Sequence, residues 1–369
     1  MVTNIQILRF VAALWVAFYH AKAPVVFGHL MPELPRWLSA LQKAGFAGVD
    51  IFFVISGAIM ALTTRAAAPS VKAGLRFLLV RYARIYTGWW PFFVIYLLAF
   101  HWRGPLGEKE LVGSFFLFPM GLQKYILPIV WTLSFELYFY TIIGLLLPFA
   151  RRIQIAALAT AAAFMLIFTI WSAQQGFYTA ARFHETWPLH QFIALPLISE
   201  FLAGFLLCEW VHRHKPTRVW PWLVGAVVLF VCAVYYQKFL VVGDSGLEGY
   251  HYSHWRALLL GGFASCLVCA ALISKPWFGA PGRAMSRLGD ASYAIYLSHI
   301  VILSGMSLFY TRIGWPVSLK APGYFFMLAA IVGYSYLHFR WIERPIYSAS
   351  RKYIDGLIGT SGGGKGQPA

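Results

Sequence analysis

An all-α bundle of transmembrane helices, polytopic with about ten spans and both termini cytoplasmic, is the fold this sequence predicts. Three observations predict it. Charge is scarce: 12% of the 369 residues are Asp, Glu, Lys or Arg and 60% are hydrophobic, where a soluble chain carries roughly 25% charged residues. Apolar runs of about 20 residues, enough to cross a hydrocarbon core of ~30 Å, recur along the whole chain, and most lack the polar face a soluble helix keeps toward water. The basic residues collect on alternate loops, as the positive-inside rule requires of a multi-pass chain.

The first span is expected over 4–27. Its apolar stretch from Phe10 to Tyr19 and the small residues Ala21 and Ala23 imitate a signal peptide, but Pro24 stands where cleavage would occur, so the segment reads as an uncleaved span. Further spans follow at 45–63, 78–100, 127–149, 153–172, 190–212, 218–236, 255–273, 290–310 and 322–343. The apolar stretch 111–122 is too short to cross and reads as an interfacial or re-entrant element. Residues 1–345 form one membrane domain, and 346–369 form a cytoplasmic tail, Gly-rich and expected to be disordered from about 359.

A formal net charge of +17 suggests nucleic acid in a soluble protein. Here the bases mark topology, and no nucleic-acid partner is expected. Most Lys and Arg fall beside the loops that share a side with the termini, among them Arg151, Arg152, Arg213 and Lys215. The four cysteines lie in apolar runs. Cys266 and Cys269 form a CxxC without a second pair or a histidine cluster, so packing is favoured over a metal site and no disulfide framework is implied.

Ionisable groups within the spans are costly and mark function. They are Arg9, His20, Asp50, Glu136, Glu200, His299, His338 and Arg340. Arg9 and His20 are 11 residues apart, three helical turns plus about 20°, so both point one way, ~16 Å apart along the axis. Asp50, near the outer end of span two, matches His20 in depth to within ~3 Å. A carboxylate beside an imidazole holds one tautomer and stabilises imidazolium; the bland alternative is two unrelated polar residues at a wet interface. Arg81 and Arg84, i and i+3 at the cytoplasmic start of span three, suit a phosphorylated ligand, with ordinary positive-inside charge as the alternative. Glu136 lies near mid-membrane in Trp131-Thr132-Leu133-Ser134-Phe135-Glu136 and must face a cavity or a partner. His299, preceded by Tyr296, is also near mid-depth, and interhelical hydrogen bonding competes there with ligand contact. Arg340 and Glu343 are expected to form a structural ion pair.

Several segments together resemble the acyltransferase-three family of bacterial integral membrane O-acyltransferases. They are Leu8-Arg9-Phe10 with Tyr19-His20, the run from Gly48 to Gly57 around Asp50, Arg81-Tyr82-Ala83-Arg84-Ile85-Tyr86, and Trp131 to Glu136 with Tyr138 and Tyr140. Ser292 to His299 and Trp341-Ile342-Glu343-Arg344-Pro345 complete the pattern over nearly the whole chain. Thr87 stands near where the family often has Pro, Thr132 where Ser is common, and Ala58 where Phe is common; none of these departures removes an ionisable group. The chain resembles stand-alone members without a fused extracellular hydrolase-like domain. The resemblance implies a multi-pass protein of the bacterial inner membrane that transfers an acyl group, acetyl first, from cytoplasmic acyl-CoA to a hydroxyl of a cell-surface or exported glycan, polyprenyl-linked or polymerised. Arg9, Arg81 and Arg84 then hold the nucleotide end of acetyl-CoA or another acyl-CoA, His20 with Asp50 is catalytic, and Trp131, Ser134, Glu136, Tyr296 and His299 line the acyl or acceptor path. No metal is required. The competing reading is a proton-coupled transporter or flippase for a glycan or organic anion, and N-acylation of an amino sugar is a second enzymatic reading.

Overall fold

The computed structural model describes residues 2–21, 34–101, 107–175, 197–239, 254–313 and 320–359, and every regular element among them is helical. In chain order these are α1 (Val2–His20), α2 (Arg36–Lys43), α3 (Ala47–Thr64), α4 (Val71–His101), α5 (Leu111–Phe116), α6 (Trp131–Leu146), α7 (Arg151–Gln174), α8 (Leu197–His214), α9 (Trp220–Phe239), α10 (His254–Ile273), α11 (Gly279–Asp290), α12 (Ser292–Ile313), α13 (Lys320–His338) and α14 (Arg344–Leu357). The chemistry of a bilayer favours this outcome, because a helix satisfies its backbone N–H and C=O groups within itself where no water can.

Each of the ten expected spans falls on a helix, although residues 22–27 of the first and 190–196 of the sixth lie outside the described residues. Six stretches of the described chain are both long and apolar enough to cross a membrane: Ala47–Thr64, Pro128–Leu146, Arg151–Ser172, Trp255–Ile273, Ser292–Tyr310 and Pro322–Leu357. Of the rest, α1, α4 and α8 carry charged and polar side chains along their length, and the apolar stretch Trp220–Tyr236 of α9 is shorter. The stretch expected to be interfacial or re-entrant forms only the six-residue α5, followed by a left-handed Leu117 and short 3-10 turns. The tail expected to be disordered lies outside the described residues from 360 onward, whereas its beginning is helical in α14.

The chain divides into two compact units. The first contains Asp50–Lys275 and the end of α14 from Ala349. Within it α4 packs on α6, α8 packs on α7 and α10, and α9 packs on α10. α3 and α8 cross at backbone contact through reciprocal glycines: a Cβ on Gly57 would strike the Phe201 carbonyl, and one on Gly204 would strike the Val54 carbonyl. Small residues at such a crossing let two backbones approach where dispersion, not the hydrophobic effect, holds helices together. Pro91 lies inside α4; it lacks the N–H that would bond the Thr87 carbonyl, a break a membrane helix tolerates. The α5 region is tied down by polar contacts. Trp89 Nε1 donates to the Ser114 carbonyl at 2.9 Å, Ile126 N donates to Ser114 Oγ at 2.8 Å, and the Tyr125 hydroxyl donates to the Phe118 carbonyl at 2.7 Å.

The second unit contains Val2–Val49 and Pro276–Ser348. In it α1 is the centre, packed on α2, α11, α12 and α13. Asn4 Oδ1 accepts the Trp277 backbone N–H at 2.9 Å, and Gly48 presses on the Ala12 carbonyl with no room for a side chain. Ser298 and Ser335 hydroxyls, 2.8 Å apart, join α12 to α13. After α13 the chain makes a π-helical turn over Phe339–Glu343. That turn corrects the expected Arg340–Glu343 pair. Its wider winding takes i and i+3 off a common face, leaving Arg340 exposed and Glu343 buried.

Candidate active site

In the first unit, α3 carries two different faces. Phe52, Ser56, Ile59 and Thr63, spaced as one helical stripe, are half-buried or exposed. Asp50 lies off that stripe and is fully buried. Along the accessible stripe Ser56 Oγ donates to Glu136 Oε1 at 2.7 Å, and about 10 Å further along the axis Thr63 Oγ1 accepts Arg81 Nη2 at 3.0 Å. The Arg81 guanidinium lies 5.6 Å from the Phe77 ring centre and 5.8 Å from that of Tyr140. Tyr82 and Thr141 share a hydrogen bond of 2.6 Å beside it. Arg84 is half-buried on the same helix. The result is a polar track, with guanidinium at one end and carboxylate at the other, where α3, α4 and α6 meet. Trp131 is half-buried, edge-on to Phe135, and tilted against Phe53. Ser134, two residues before Glu136, points elsewhere: its hydroxyl is 2.8 Å from that of Tyr125. A two-residue step on a helix turns about 200°, so the two side chains serve different neighbours.

Asp50 gives both carboxylate oxygens to one guanidinium, Arg256 Nε at 2.9 Å and Arg256 Nη2 at 2.8 Å. Both residues are buried, at 0% and 2% exposure. Charges removed from water survive only with such close, multiply bonded partners. Glu200 on α8 is buried as well, and the absent side chain of Gly261 makes room for its carboxyl. Near the other end of α3, Glu209 bridges two arginines, Arg65 Nη2 and Arg151 Nη2, each at 2.6 Å. Arg151 also bonds Thr64 Oγ1 at 3.1 Å and the Ala61 carbonyl at 3.0 Å, and stacks over Phe205 at 4.7 Å. Arg256 and Glu209 were not singled out in the sequence. Each had a signal, an arginine just inside an apolar span and a glutamate inside another, but no local spacing names their partners.

In the second unit, His20 closes α1 and is half-buried. Its Nδ1 lies 3.1 Å from His299 Nε2 and 3.1 Å from the Val16 carbonyl oxygen. His299 is fully buried, and its Nδ1 is 2.7 Å from the Tyr296 carbonyl oxygen. The two imidazoles are tilted at 38° with centroids 5.0 Å apart. Arg9 Nη1 donates to Gln6 Oε1 at 3.1 Å, and Gln6 Nε2 donates to Asp290 Oδ1 at 2.8 Å. Around the C-terminal part of α1, Gln42 Nε2 donates to the Phe18 carbonyl at 3.0 Å and to the Tyr324 hydroxyl. The structure thus brings His20 and His299 together, and separately Ser56 with Glu136 and Thr63 with Arg81. Among the described residues no group of three or more His, Cys, Asp or Glu is placed to hold a metal ion.

Apolar helices of membrane-crossing length with titratable side chains buried among them define a multi-pass membrane protein whose interior is equipped for chemistry or transport. The family decides between these: the acyltransferase-three model, described as an acyltransferase domain, matches residues 2–340, and the chain belongs to that family of membrane acyltransferases. A curated relative is the exopolysaccharide production protein ExoZ of Rhizobium meliloti (strain 1021), 29% identical over 338 residues that cover 85% of this chain and 94% of the relative. No solved structure matches the chain.

Proposed function

We propose that this acyltransferase moves an acyl group, acetyl in the first instance, from cytoplasmic acyl-CoA to a hydroxyl of an exported or cell-surface glycan, an exopolysaccharide above all. The similarity to a protein of exopolysaccharide production supports the acceptor class. The observation that carries the chemistry is His20, a half-buried imidazole held by a second, fully buried one. In this reading the His20 ring takes the proton of the sugar hydroxyl as its oxygen attacks the thioester carbonyl. The new C–O bond forms and the C–S bond breaks. The CoA thiolate leaves and recovers the proton, so the products are a glycan ester and free CoA.

Arg81 and Arg84 take the anionic end of the donor, where planar guanidiniums suit phosphate oxygens. The accessible stripe of α3, from Thr63 to Ser56, with Glu136 and Trp131 beside it, offers polar contacts to an amide-bearing arm. Asp50, engaged by Arg256 through both oxygens, has the task of holding that guanidinium.

The test is transfer of radiolabel from acetyl-CoA in inverted membrane vesicles, comparing wild type, His20→Ala and Arg84→Ala at equal expression. Label enters luminal glycan in wild type, in a bond cleaved by hydroxylamine. It falls by about 10²- to 10⁴-fold in His20→Ala, the range of a general base. Undiminished transfer in His20→Ala overturns the mechanism. Label arriving from succinyl-CoA but not acetyl-CoA corrects the acyl group alone.

A further inference from the structure

We propose that His299 is a positioning residue that fixes His20 as the tautomer with its proton on Nδ1, leaving Nε2 unprotonated as the basic nitrogen. The inference starts at a backbone carbonyl. His299 Nδ1 lies 2.7 Å from the Tyr296 carbonyl oxygen, which can only accept, so Nδ1 carries a proton. A neutral imidazole has one N–H, and a fully buried one with no carboxylate bonded to it stays neutral. The His299 Nε2 is therefore a lone pair, and it faces His20 Nδ1 at 3.1 Å. The Val16 carbonyl, also 3.1 Å from His20 Nδ1, is a second acceptor at the same atom. Two acceptors meeting at Nδ1 require an N–H there; the alternative tautomer sets three lone pairs against one another. The proton of a neutral His20 is thus on Nδ1, and Nε2 keeps its pair.

The consequence for catalysis rests on the reading of His20 as the base. Nε2 takes the hydroxyl proton and the ring becomes imidazolium. Its Nδ1–H stays on His299, now as a charge-assisted hydrogen bond. When Nε2 passes the proton on to the CoA thiolate, the starting tautomer returns without a ring flip. His299 touches neither substrate in this scheme, since both of its ring nitrogens are already engaged.

The tautomer is read directly by ¹⁵N NMR of histidine-labelled protein in lipid nanodiscs, with His20 assigned from the signals missing in His20→Ala. Wild type shows a protonated Nδ1 and an unprotonated Nε2 for His20. His299→Gln offers an amide oxygen near the place of Nε2 and keeps that pattern, whereas His299→Leu takes away one of the two acceptors at Nδ1, leaves the Val16 carbonyl, and raises the share of the Nε2-protonated form. In the transfer assay kcat falls by about 10- to 100-fold in His299→Leu, with KM for acyl-CoA within about twofold, and His299→Gln recovers most of it. A His20 protonated on Nε2 in wild type, or wild-type kcat in His299→Leu, overturns the proposal. The NMR result does not depend on turnover, so an active His20→Ala would remove the base while leaving the tautomer assignment to stand or fall alone.

Discussion

Arg256 is the residue whose removal tests the construction of the first unit most directly. Its guanidinium makes two bonds of 2.9 and 2.8 Å to Asp50, and the pair is 2% and 0% exposed. Arg256→Met keeps much of the side-chain volume but leaves the Asp50 carboxylate buried beside Glu200 with no cation bonded to it. Breaking a buried pair from one side costs about 3–5 kcal/mol. With roughly 2–4 °C of melting temperature per kcal/mol for a unit of this size, the expected fall is on the order of 10 °C. Asp50→Asn alone costs a similar amount, because it takes the bidentate carboxylate away from the buried guanidinium. The double variant, Asp50→Asn with Arg256→Met, removes both charges and regains most of the loss, since a buried pair is often worth little against a neutral replacement. The assay is thermal unfolding of purified protein in detergent, run as a double-mutant cycle. Additive losses, with no recovery in the double variant, refute the claim that these two charges exist for each other.

Two further outcomes are expected. Gly57→Ala destabilises strongly, by more than about 2 kcal/mol, because its Cβ meets the Phe201 backbone, while Gly305→Ala, with open space around it, is neutral or stabilising; the same unfolding assay compares them. Tyr125→Phe strips the partner from the Phe118 carbonyl and from Ser134 Oγ and costs about 1–3 kcal/mol. Burial pushes the Tyr125 phenol up to about 12 from its ordinary 10.0, so the folded state favours the protonated form. Its contribution is complete below pH 10 and is lost as pH rises toward 12, and that alkaline decrement is smaller in Tyr125→Phe.

How far the sequence reaches is clearest in α3 and its surroundings. The helix itself was legible, since an apolar run bounded by Gly48 and Thr64 has no other way to satisfy its backbone in lipid. So was the need for partners at Asp50, Glu136 and His20, because lipid tolerates no bare polar group. Even the close approach at Gly57 could be anticipated from the missing side chain. The partners themselves could not. Arg256 stands 206 residues from Asp50, and His299 stands 279 from His20. Helical periodicity relates residues a few turns apart and says nothing across such distances. Ser134 and Glu136 sit in one motif, yet only packing shows that one turns to Tyr125 and the other to Ser56. The Arg340–Glu343 expectation failed for a local reason of the same kind, because a π turn changes the phase on which any spacing argument depends.

By itself, then, the sequence determined that this is a helical membrane protein, where its long apolar helices fall, its acyltransferase family, and which side chains are too polar to be idle. Those properties follow from local composition and from the bilayer's demand that each helix close its own hydrogen bonds. Which buried charge answers which, and which ring nitrogen faces which acceptor, was decided only by the tertiary structure, because these depend on ångström-scale meetings between helices that are far apart along the chain.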